Sequence, residues 1–508
     1  MVERIGRRAA IWATIVVLGG CGPVAMLTRP EGDGGWTPAE REQHLVRLAE
    51  ASGVDLDPAP PTASDTETAS PAAIPAGPAT EREAMTTDRP PPLSLADALT
   101  RAATGNRRLA EARNQLAIAR QRVFEARGRL FPATAGRGRY TWNSAEQRNA
   151  VPIAIPGFTG SPSIPIRDHD IGTISGVVTL PVDLSGELRY TLAAAQAGYR
   201  GEAARLWAAT LETDVVVIGA YYNLLEAERL RDVTMQTIAL HRQQLTFADD
   251  RFRNGRLTKN EVLVVQVALR NAEQERRRRE LAIDEARFAL NQAVGLPIDA
   301  PTEVVDVRER PELPGEAEAL RTAYRGNPAL AALLEEQQRL DATARALARS
   351  RLPRFSGGGS VEDSNSKIVA PTLIESGFVG FEWDLGTDTR READIAAARI
   401  GADENRVRTE RELRELEQAV RSTYRSAAER LAALDTSEIA AQQAEENLRI
   451  RQQQFEVGRA TSDDVLDAEA LLAGERASVA SARYEAQTRR AELQRLMGQP
   501  LDALAAGR

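Results

Sequence analysis

Side chains that commonly carry out chemistry are scarce in this sequence of 508 residues. It has one cysteine, Cys21, and three histidines that are too far apart to give the paired ligand spacing of a zinc site. A single cysteine also excludes an internal disulfide framework and a cysteine-rich metal centre. No nucleophile elbow, phosphate-binding loop or dinucleotide fingerprint occurs in a suitable context. We therefore predict that the protein is not an enzyme and uses no metal or organic cofactor.

The most informative polar residues lie in a turn motif that occurs twice. An aromatic residue is followed by a glycine three positions later and by an acidic-Val-Leu triplet six positions after the glycine. The glycine can adopt the left-handed conformation that ends a helix, and a threonine three residues later can cap the next helix. The turn residues of interest are Phe252, Gly255, Thr258 and Glu261 in the first copy and Phe455, Gly458, Arg459, Thr461, Asp463, Asp464 and Asp467 in the second.

The carboxylates of these turns allow two interpretations. Glu261, Asp463 and Asp464 fall in the first turn of a predicted helix, where the helix dipole favours negative charge, so they can be simple caps. Alternatively, Asp464 and Asp467 form an acidic ring where several copies of the chain meet at a narrow end. Such a ring binds cations or disfavours anions.

The N-terminal residues predict an export signal. Three arginines precede an apolar run from Ala9 to Leu18, which is too short to span a bilayer. Small residues then lead to Cys21, which resembles the bacterial lipoprotein signal, whose cysteine becomes the lipidated first residue of the mature chain. An ordinary signal peptide that happens to contain a cysteine is the alternative. We assign residues 1–20 to a lipoprotein signal peptide and residues 21–92 to a lipidated, Pro/Ala-rich disordered tether.

The remaining sequence consists of two tandem repeats of one unit. Gly105-Asn106 recurs 221 positions later as Gly326-Asn327, and Gly295-x-Pro297 recurs 203 positions later as Gly498-x-Pro500. The offset between matching positions becomes smaller in the loop region between the motifs, so the first copy has the longer loop there. We place the first repeat at 93–297, an inter-repeat linker at 298–315, the second repeat at 316–501 and a C-terminal tail at 502–508.

Each repeat predicts a helix, a β-hairpin and two further helices. Strands are expected at about 133–143 and 170–182 in the first repeat and at about 354–363 and 374–383 in the second. Single helices are expected over 95–130 and 316–350, and proline-free segments at 187–254 and 388–457 predict rods of roughly 100 Å. The repeated turns, at about 252–261 and 455–467, follow these rods and are called the tip below. The first helix has a coiled-coil seam of Leu109, Ala112, Leu116, Ala119, Val123, Ala126 and Leu130.

Four strands per chain are too few for a closed membrane barrel, because the smallest such barrels have about eight. Open edges in lipid would leave backbone groups unpaired, so other copies of the chain must complete the strands. Three copies give twelve strands and a hollow helical cylinder beneath them. The predicted fold is therefore mainly α, with a long coiled-coil α-barrel and a β-barrel membrane part that closes as a trimer.

The duplicated turn, the two helix-hairpin-helix repeats and the closing Gly-x-Pro closely resemble the TolC-like outer-membrane efflux factors over about residues 93–501. The signal at Cys21 agrees with the lipoprotein branch of that family. Gly22, which is not the aspartate associated with inner-membrane retention, implies delivery to the outer membrane. The resemblance implies a homotrimeric channel-tunnel with a twelve-stranded barrel, a periplasmic helical conduit and a gate at the tip. It also implies a periplasmic adaptor and an inner-membrane pump as partners, in efflux or type I secretion.

The sequence departs from this family at the gate. Phe252 and Phe455 stand where members commonly have a tyrosine. Leu257 and Ala460 stand where members commonly have an arginine, while Arg459 lies one position earlier. We therefore do not carry over the hydrogen-bonded latch of better-known members.

Two other functions fit parts of the sequence. A lipid-anchored scaffold that spans the periplasm without conducting would need only the lipid and the coiled coil, but it leaves the hairpins unexplained. A secreted hydrolase with helical decoration would need a nucleophile-base constellation, which is absent from the sequence. Nucleic acid is not an expected partner, because the net charge is -8 and no basic domain exists.

Overall fold

A computed structural model of the chain describes residues 92–150, 153–155, 158–160, 163–306, 310–366, 368, 371–384 and 389–501. Cys21, the predicted signal peptide, the tether up to residue 91 and the C-terminal tail lie outside these residues. Within the described part the chain is mainly helical with few strands, which confirms the predicted fold class at this level.

The described residues form eight helices and eight strands, and long helices dominate both halves. The elements of the first half are α1 (Leu95–Gly105), α2 (Arg107–Gly128), β1 (Ala133–Trp142), β2 (Gln147–Ala150), β3 (Ile153–Ile155), β4 (Phe158–Gly160), β5 (Ser163–Arg167), β6 (Asp170–Val182), α3 (Glu187–Arg253) and α4 (Lys259–Val294). Those of the second half are α5 (Glu316–Gly326), α6 (Pro328–Arg349), β7 (Arg354–Ser364), β8 (Leu373–Glu382), α7 (Thr389–Glu456) and α8 (Ser462–Leu496). No helix in the described ranges is both long and apolar enough to cross a membrane.

The first helix of each half is broken into two, α1 and α2 in the first half and α5 and α6 in the second. The prediction of single helices over 95–130 and 316–350 is therefore wrong. Asn106 and Asn327 have extended backbones at the breaks, and each side-chain oxygen accepts a hydrogen bond of 2.9 Å from the N–H two residues ahead. Their amide nitrogens donate to carbonyl groups near the ends of other helices, Ala293 O at 3.3 Å and Leu496 O at 3.0 Å. An asparagine can cap one helix and bind the end of another because its amide both accepts and donates.

The breaks contact the glycines that follow α4 and α8. Gly295 and Gly498 have positive φ angles of 81° and 69°. A Cβ atom on Gly498 would lie 1.9 Å from the carbonyl oxygen of Gly326, and one on Gly295 would lie 2.9 Å from that of Gly105. The Gly-Asn and Gly-x-Pro motifs of each half therefore meet in a backbone-to-backbone contact that excludes side chains.

The main sheet is antiparallel and has the strand order β1-β6-β7-β8. β1 pairs with β6 from Ala133↔Thr179 to Trp142↔Asp170, and β7 pairs with β8 from Arg354↔Glu382 to Asp363↔Leu373. β6 and β7, which come from different halves, pair at the centre of the sheet. β1 and β8 are consequently its edges.

The long loop of the first half contains strands that the sequence analysis did not predict. β2 pairs with β5 and β3 pairs with β4, so two short antiparallel pairs extend beyond β1 and β6. At their base, Ser366 Oγ donates to Asp168 Oδ2 at 2.7 Å, and Asn143 Nδ2 donates to Asp168 O at 2.8 Å. The Asn143 bond closes the base of the loop, and the Ser366 bond ties the loop to the turn between β7 and β8.

Helix packing follows the predicted seam. All seven seam residues of the first helix are buried or half-buried, and every other residue between 107 and 130 is exposed. The seam is therefore confirmed, and it faces α3, along which α2 packs. In the second half, α6 packs along both α3 and α7 and is buried on more than one side.

The connection between the halves binds two long helices. Leu93 and Val304 form a parallel β-bridge. Asp306 accepts hydrogen bonds from Arg229 on α3 and, at 3.0 Å, from the Tyr484 hydroxyl on α8. Burial raises the pKa of Tyr484 to about 12, so this hydroxyl remains a donor at neutral pH.

Candidate functional site

Both turns of the tip end a long helix in the same way. Gly255 and Gly458 have φ angles of 68° and 76°, in the left-handed region. In each turn, the N–H of the residue after the glycine donates at 2.8 Å to the carbonyl five residues earlier. This bond closes the last turn of α3 and of α7, as in other glycine-terminated helices. Arg459 occupies this position in the second turn and takes part through its backbone.

A capping box begins each following helix. Thr258 Oγ1 accepts from the Glu261 N–H at 3.4 Å, and Glu261 Oε2 accepts from the Thr258 N–H at 3.0 Å. Thr461 and Asp464 make the same pair of bonds, at 3.2 and 2.8 Å. Glu261 and Asp464 therefore have the capping geometry that was one of the two interpretations. Hydrogen bonds from the backbone and hydroxyl of Thr461 lower the pKa of Asp464.

The second turn is the more acidic of the two. Asp463 and Asp467 lie in the first two turns of α8, and both side chains are exposed. At the corresponding positions of α4 the sequence has Asn260 and Val264. Carboxylates beyond the cap are therefore concentrated at the start of α8.

The aromatic residues of the two turns have different environments. Phe252 is 43% exposed, whereas Phe455 is 5% exposed and packs on Phe247 of α3 with 5.3 Å between ring centroids. The guanidinium carbon of Arg251 lies 4.6 Å from the Phe247 centroid and 5.8 Å from that of Phe455. Arg251 also donates to Phe455 O at 3.2 Å and to Glu456 O. Arg251, which the sequence analysis did not single out, thus joins the end of α7 to α3.

A buried ionisable pair joins α3 to α8 near the tip. His241 Nδ1 lies 2.7 Å from Glu469 Oε2, and the two side chains are 9% and 1% exposed. The sequence analysis missed this pair because 228 positions separate the two residues. A glutamate within the apolar series Val465, Ala468 and Leu472 was the signal that could have indicated it, since a buried carboxylate needs a partner.

An open cavity of about 560 Å³ lies beside this pair, between α3, α4 and α8. Its lining is mostly polar or small, including Asn271, Glu275, Arg278, Asp467 and Ala470. Within the described residues, no cluster of histidine, cysteine, aspartate and glutamate has the arrangement of a metal site.

Long paired helices joined to a small antiparallel sheet define the fold of outer-membrane channel proteins. CusC, whose structures describe the formation of a transmembrane channel, matches with a TM-score of 0.68 at 15% identity, over 80% of this chain and 92% of its own. The outer membrane protein VceC from Vibrio cholerae matches with a TM-score of 0.65 at 17% identity, over 80% and 96%. The CmeC outer membrane channel of Campylobacter jejuni matches with a TM-score of 0.66 at 15% identity, over 82% and 90%. At these identities the likeness shows the fold alone.

Family membership follows from the sequence. The outer membrane efflux protein family matches residues 98–296 and 319–499, and the chain belongs to this family. This confirms the resemblance inferred from the repeated turn. The family is one of efflux proteins and not of enzymes. No curated protein matches the chain in sequence.

Proposed function

We propose that this protein is the outer-membrane channel-tunnel of a tripartite efflux or type I secretion system. It conducts substrates passively from the periplasm or an inner-membrane pump to the exterior. The working form is a homotrimer with a twelve-stranded barrel, and a periplasmic adaptor joins it to the pump. Membership in the efflux family supports the transport role, and the contacts between the two halves of the chain support the ring.

The proposal is carried by the contacts between the two halves of the chain. Each contact uses one surface from each half, and the equivalent surfaces on the opposite halves remain uncovered in the single chain. β6 pairs with β7, and both α6 and α8 pack along α3. If the halves are tandem repeats, the equivalent contacts join β8 to β1, α2 to α7, and α4 to α7. A second copy of the chain supplies each missing partner, and head-to-tail contacts of this kind continue into a closed ring.

Burial on α2 and α6 supports this interpretation. Eight residues of α6 are buried, and four of them are Ala332, Glu335, Ala342 and Ala346. Their counterparts on α2, 221 positions earlier, are all exposed: Glu111, Asn114, Gln121 and Glu125. In the ring, the α7 helix of the next copy covers this face of α2.

The sheet edges support the same closure. β1 is exposed at every residue, and β8 is exposed at every residue after the first. Unpaired edges cannot face lipid, so β8 of one copy pairs with β1 of the next, and three copies form twelve strands. Tyr140, Trp142 and Trp383 are exposed near strand ends, where an aromatic girdle would meet the membrane surface.

The domain assignments complete this proposal. Lipid on Cys21 anchors the chain at the outer membrane, residues 1–20 are the removed signal, and residues 21–92 are the tether. The repeats at 93–297 and 316–501 form the barrel and the periplasmic conduit, joined by the linker at 298–315.

In the assembled ring, the tip is the gate. Phe252, Gly255, Thr258 and Glu261 shape one turn, while Phe455, Gly458, Arg459 and Thr461 shape the other. Asp463 lies in the first turn of α8, and Asp464 and Asp467 bring carboxylates to the narrow end, where threefold repetition makes an acidic ring that favours cations. Capping by Asp464 is compatible with this role, since a cap leaves the carboxylate ionised and at the start of α8.

The test is single-channel conductance of the lipidated protein in planar bilayers. We expect a small cation-selective conductance, and we expect Asp464→Ala/Asp467→Ala to lose the selectivity. Thr461→Ala is the matched control, because it removes the same helix cap without removing a charge, and it should retain selectivity. Lack of conductance in every variant, including one with a loosened tip, would favour the non-conducting scaffold.

A further inference from the structure

Within one chain, polar contacts hold the second turn of the tip against α3. The His241–Glu469 pair is the most buried of them, and its nitrogen-oxygen distance is 2.7 Å. Separating α8 from α3 would expose this pair or leave a buried carboxylate without its partner, which is strongly unfavourable. We call the boundary within one chain between α3 and the α7–α8 hairpin the internal seam.

Two further contacts reinforce the internal seam on either side of this pair. Arg251 lies over Phe455 and donates to the last carbonyl groups of α7. In the other direction along α3, Arg476 Nη1 donates to Gln236 Oε1 at 2.7 Å. The internal seam therefore has polar contacts at three successive levels.

The boundary between neighbouring copies, here the external seam, has different residues at the matching positions. In the proposed ring it joins α7 to the α3–α4 hairpin of the next copy. Residues of α4 and α8 that lie 203 positions apart, the offset of the turn motif, also have similar burial. Val262 and Val265 are buried, and so are their counterparts Val465 and Ala468. At the next position, Glu469 is covered by α3, while its counterpart Gln266 is exposed.

None of the three internal contacts has an equivalent pair at the external seam. Ala444 and Gln266 replace His241 and Glu469, and Ile439 and Glu273 replace Gln236 and Arg476. Gln454 occupies the position of Arg251 and has no positive charge. Apolar side chains are also exposed on these faces: Leu263, Val267, Ile439 and Ile450.

We propose that the tip opens along the external seams, between protomers, while the His241–Glu469 pair keeps the internal seam closed. This inference rests on the proposed channel function and assigns His241 and Glu469 a positioning role in the gate. Each protomer then moves with its two turns joined. Apolar contacts without buried ion pairs can separate and re-form without leaving an unpaired charge.

Matched cysteine pairs can lock each seam in the full-length protein. Gln236→Cys/Arg476→Cys locks the internal seam, and Ile439→Cys/Glu273→Cys locks the external seam at the corresponding level. Cys21 is the only native cysteine, so a short bifunctional thiosulfonate joins only the introduced pairs when Cys21 is lipidated. The external pair links protomers covalently, which denaturing electrophoresis detects independently of conductance.

Planar-bilayer recordings before and after cross-linking decide the inference. We expect openings to persist in the internally locked channel, to be lost in the externally locked channel and to return on reduction. Loss of openings on internal locking, or their persistence on complete external locking, would overturn the inference and leave the channel function intact. Absence of openings in both reduced proteins would overturn the proposed function and this inference together.

The role of Glu469 is tested in the externally locked channel. Glu469→Ala should restore openings, because the internal seam then separates, whereas Glu469→Gln should remain closed, since its amide oxygen still accepts from His241. A merely structural role predicts that Glu469→Ala lowers assembly without restoring openings. Equal behaviour of the two variants would contradict a positioning role for this pair.

Discussion

Gly498 is a residue at which a single methyl group should disrupt the fold. Its φ angle is 69°, and an added Cβ atom would lie 1.9 Å from Gly326 O. We expect Gly498→Ala to lower the free energy of unfolding by at least about 2 kcal/mol, because backbone strain and steric overlap add. Gly474→Ala is the control, since nothing lies within 4 Å of its Cβ position, and alanine favours helix. Denaturant unfolding followed by helical circular dichroism measures both, and equal stability would contradict the contact at Gly498.

Asp464 should make the start of α8 sensitive to acid. Its pKa is lowered in the folded protein by hydrogen bonds from Thr461, so its stabilising effect is complete above the unfolded-state pKa of about 3.9. The effect is lost as the pH falls through the lower pKa of the folded state. We expect the melting temperature of wild type to fall more steeply than that of Asp464→Ala as the pH decreases below about 4. Parallel pH profiles would show that this carboxylate does not contribute.

At the scale of elements, Asn327 joins three helices, since it caps α6 after the end of α5 and binds the end of α8. We expect Asn327→Ala to lower the free energy of unfolding by about 2 kcal/mol, through loss of the cap and an unpaired carbonyl. Asn327→Asp keeps the cap acceptor but sets a carboxylate against Leu496 O. It should therefore be no more stable than Asn327→Ala at neutral pH. Thermal unfolding of the two variants distinguishes these contributions, and full stability of Asn327→Asp would show that the bond to α8 is unimportant.

At the scale of the whole molecule, ring formation should depend on the uncovered face of α2. Asn114 is exposed, while its counterpart Glu335 is buried and paired with Arg200. We expect Asn114→Lys to reduce the trimer fraction in detergent, because assembly would bury an unpaired charge at a cost of several kcal/mol. Phe124→Arg is the control, since its counterpart Arg345 is exposed. Light scattering on the purified protein measures both, and an unchanged trimer in Asn114→Lys would place the contact elsewhere.

Most of the candidate site could be predicted from the sequence because its chemistry is local. A glycine that ends a helix, a threonine that caps the next one and an acidic residue three positions later form one continuous motif, and both copies have the expected geometry. The seam of α2 was equally predictable from the sequence, because helical periodicity determines which side chains share a face. The contacts of residues with distant partners could not be predicted in this way. Arg251 and Glu469 contact residues more than 200 positions away, so neither motif nor periodicity indicates their partners.

The amino-acid pattern therefore specified the turns, the seam, the duplicated motifs and the family. These features depend on interactions between residues a few positions apart, or on similarity between whole segments. Tertiary packing decided where the first helices break, because Asn106 and Asn327 bind α4 and α8, whose positions depend on the rest of the fold. It also decided that β6 and β7 pair across the two halves, and that His241 is buried against Glu469 instead of lying on a solvated face. Such contacts depend on how long helices pack against one another, and local propensity carries no information about that arrangement.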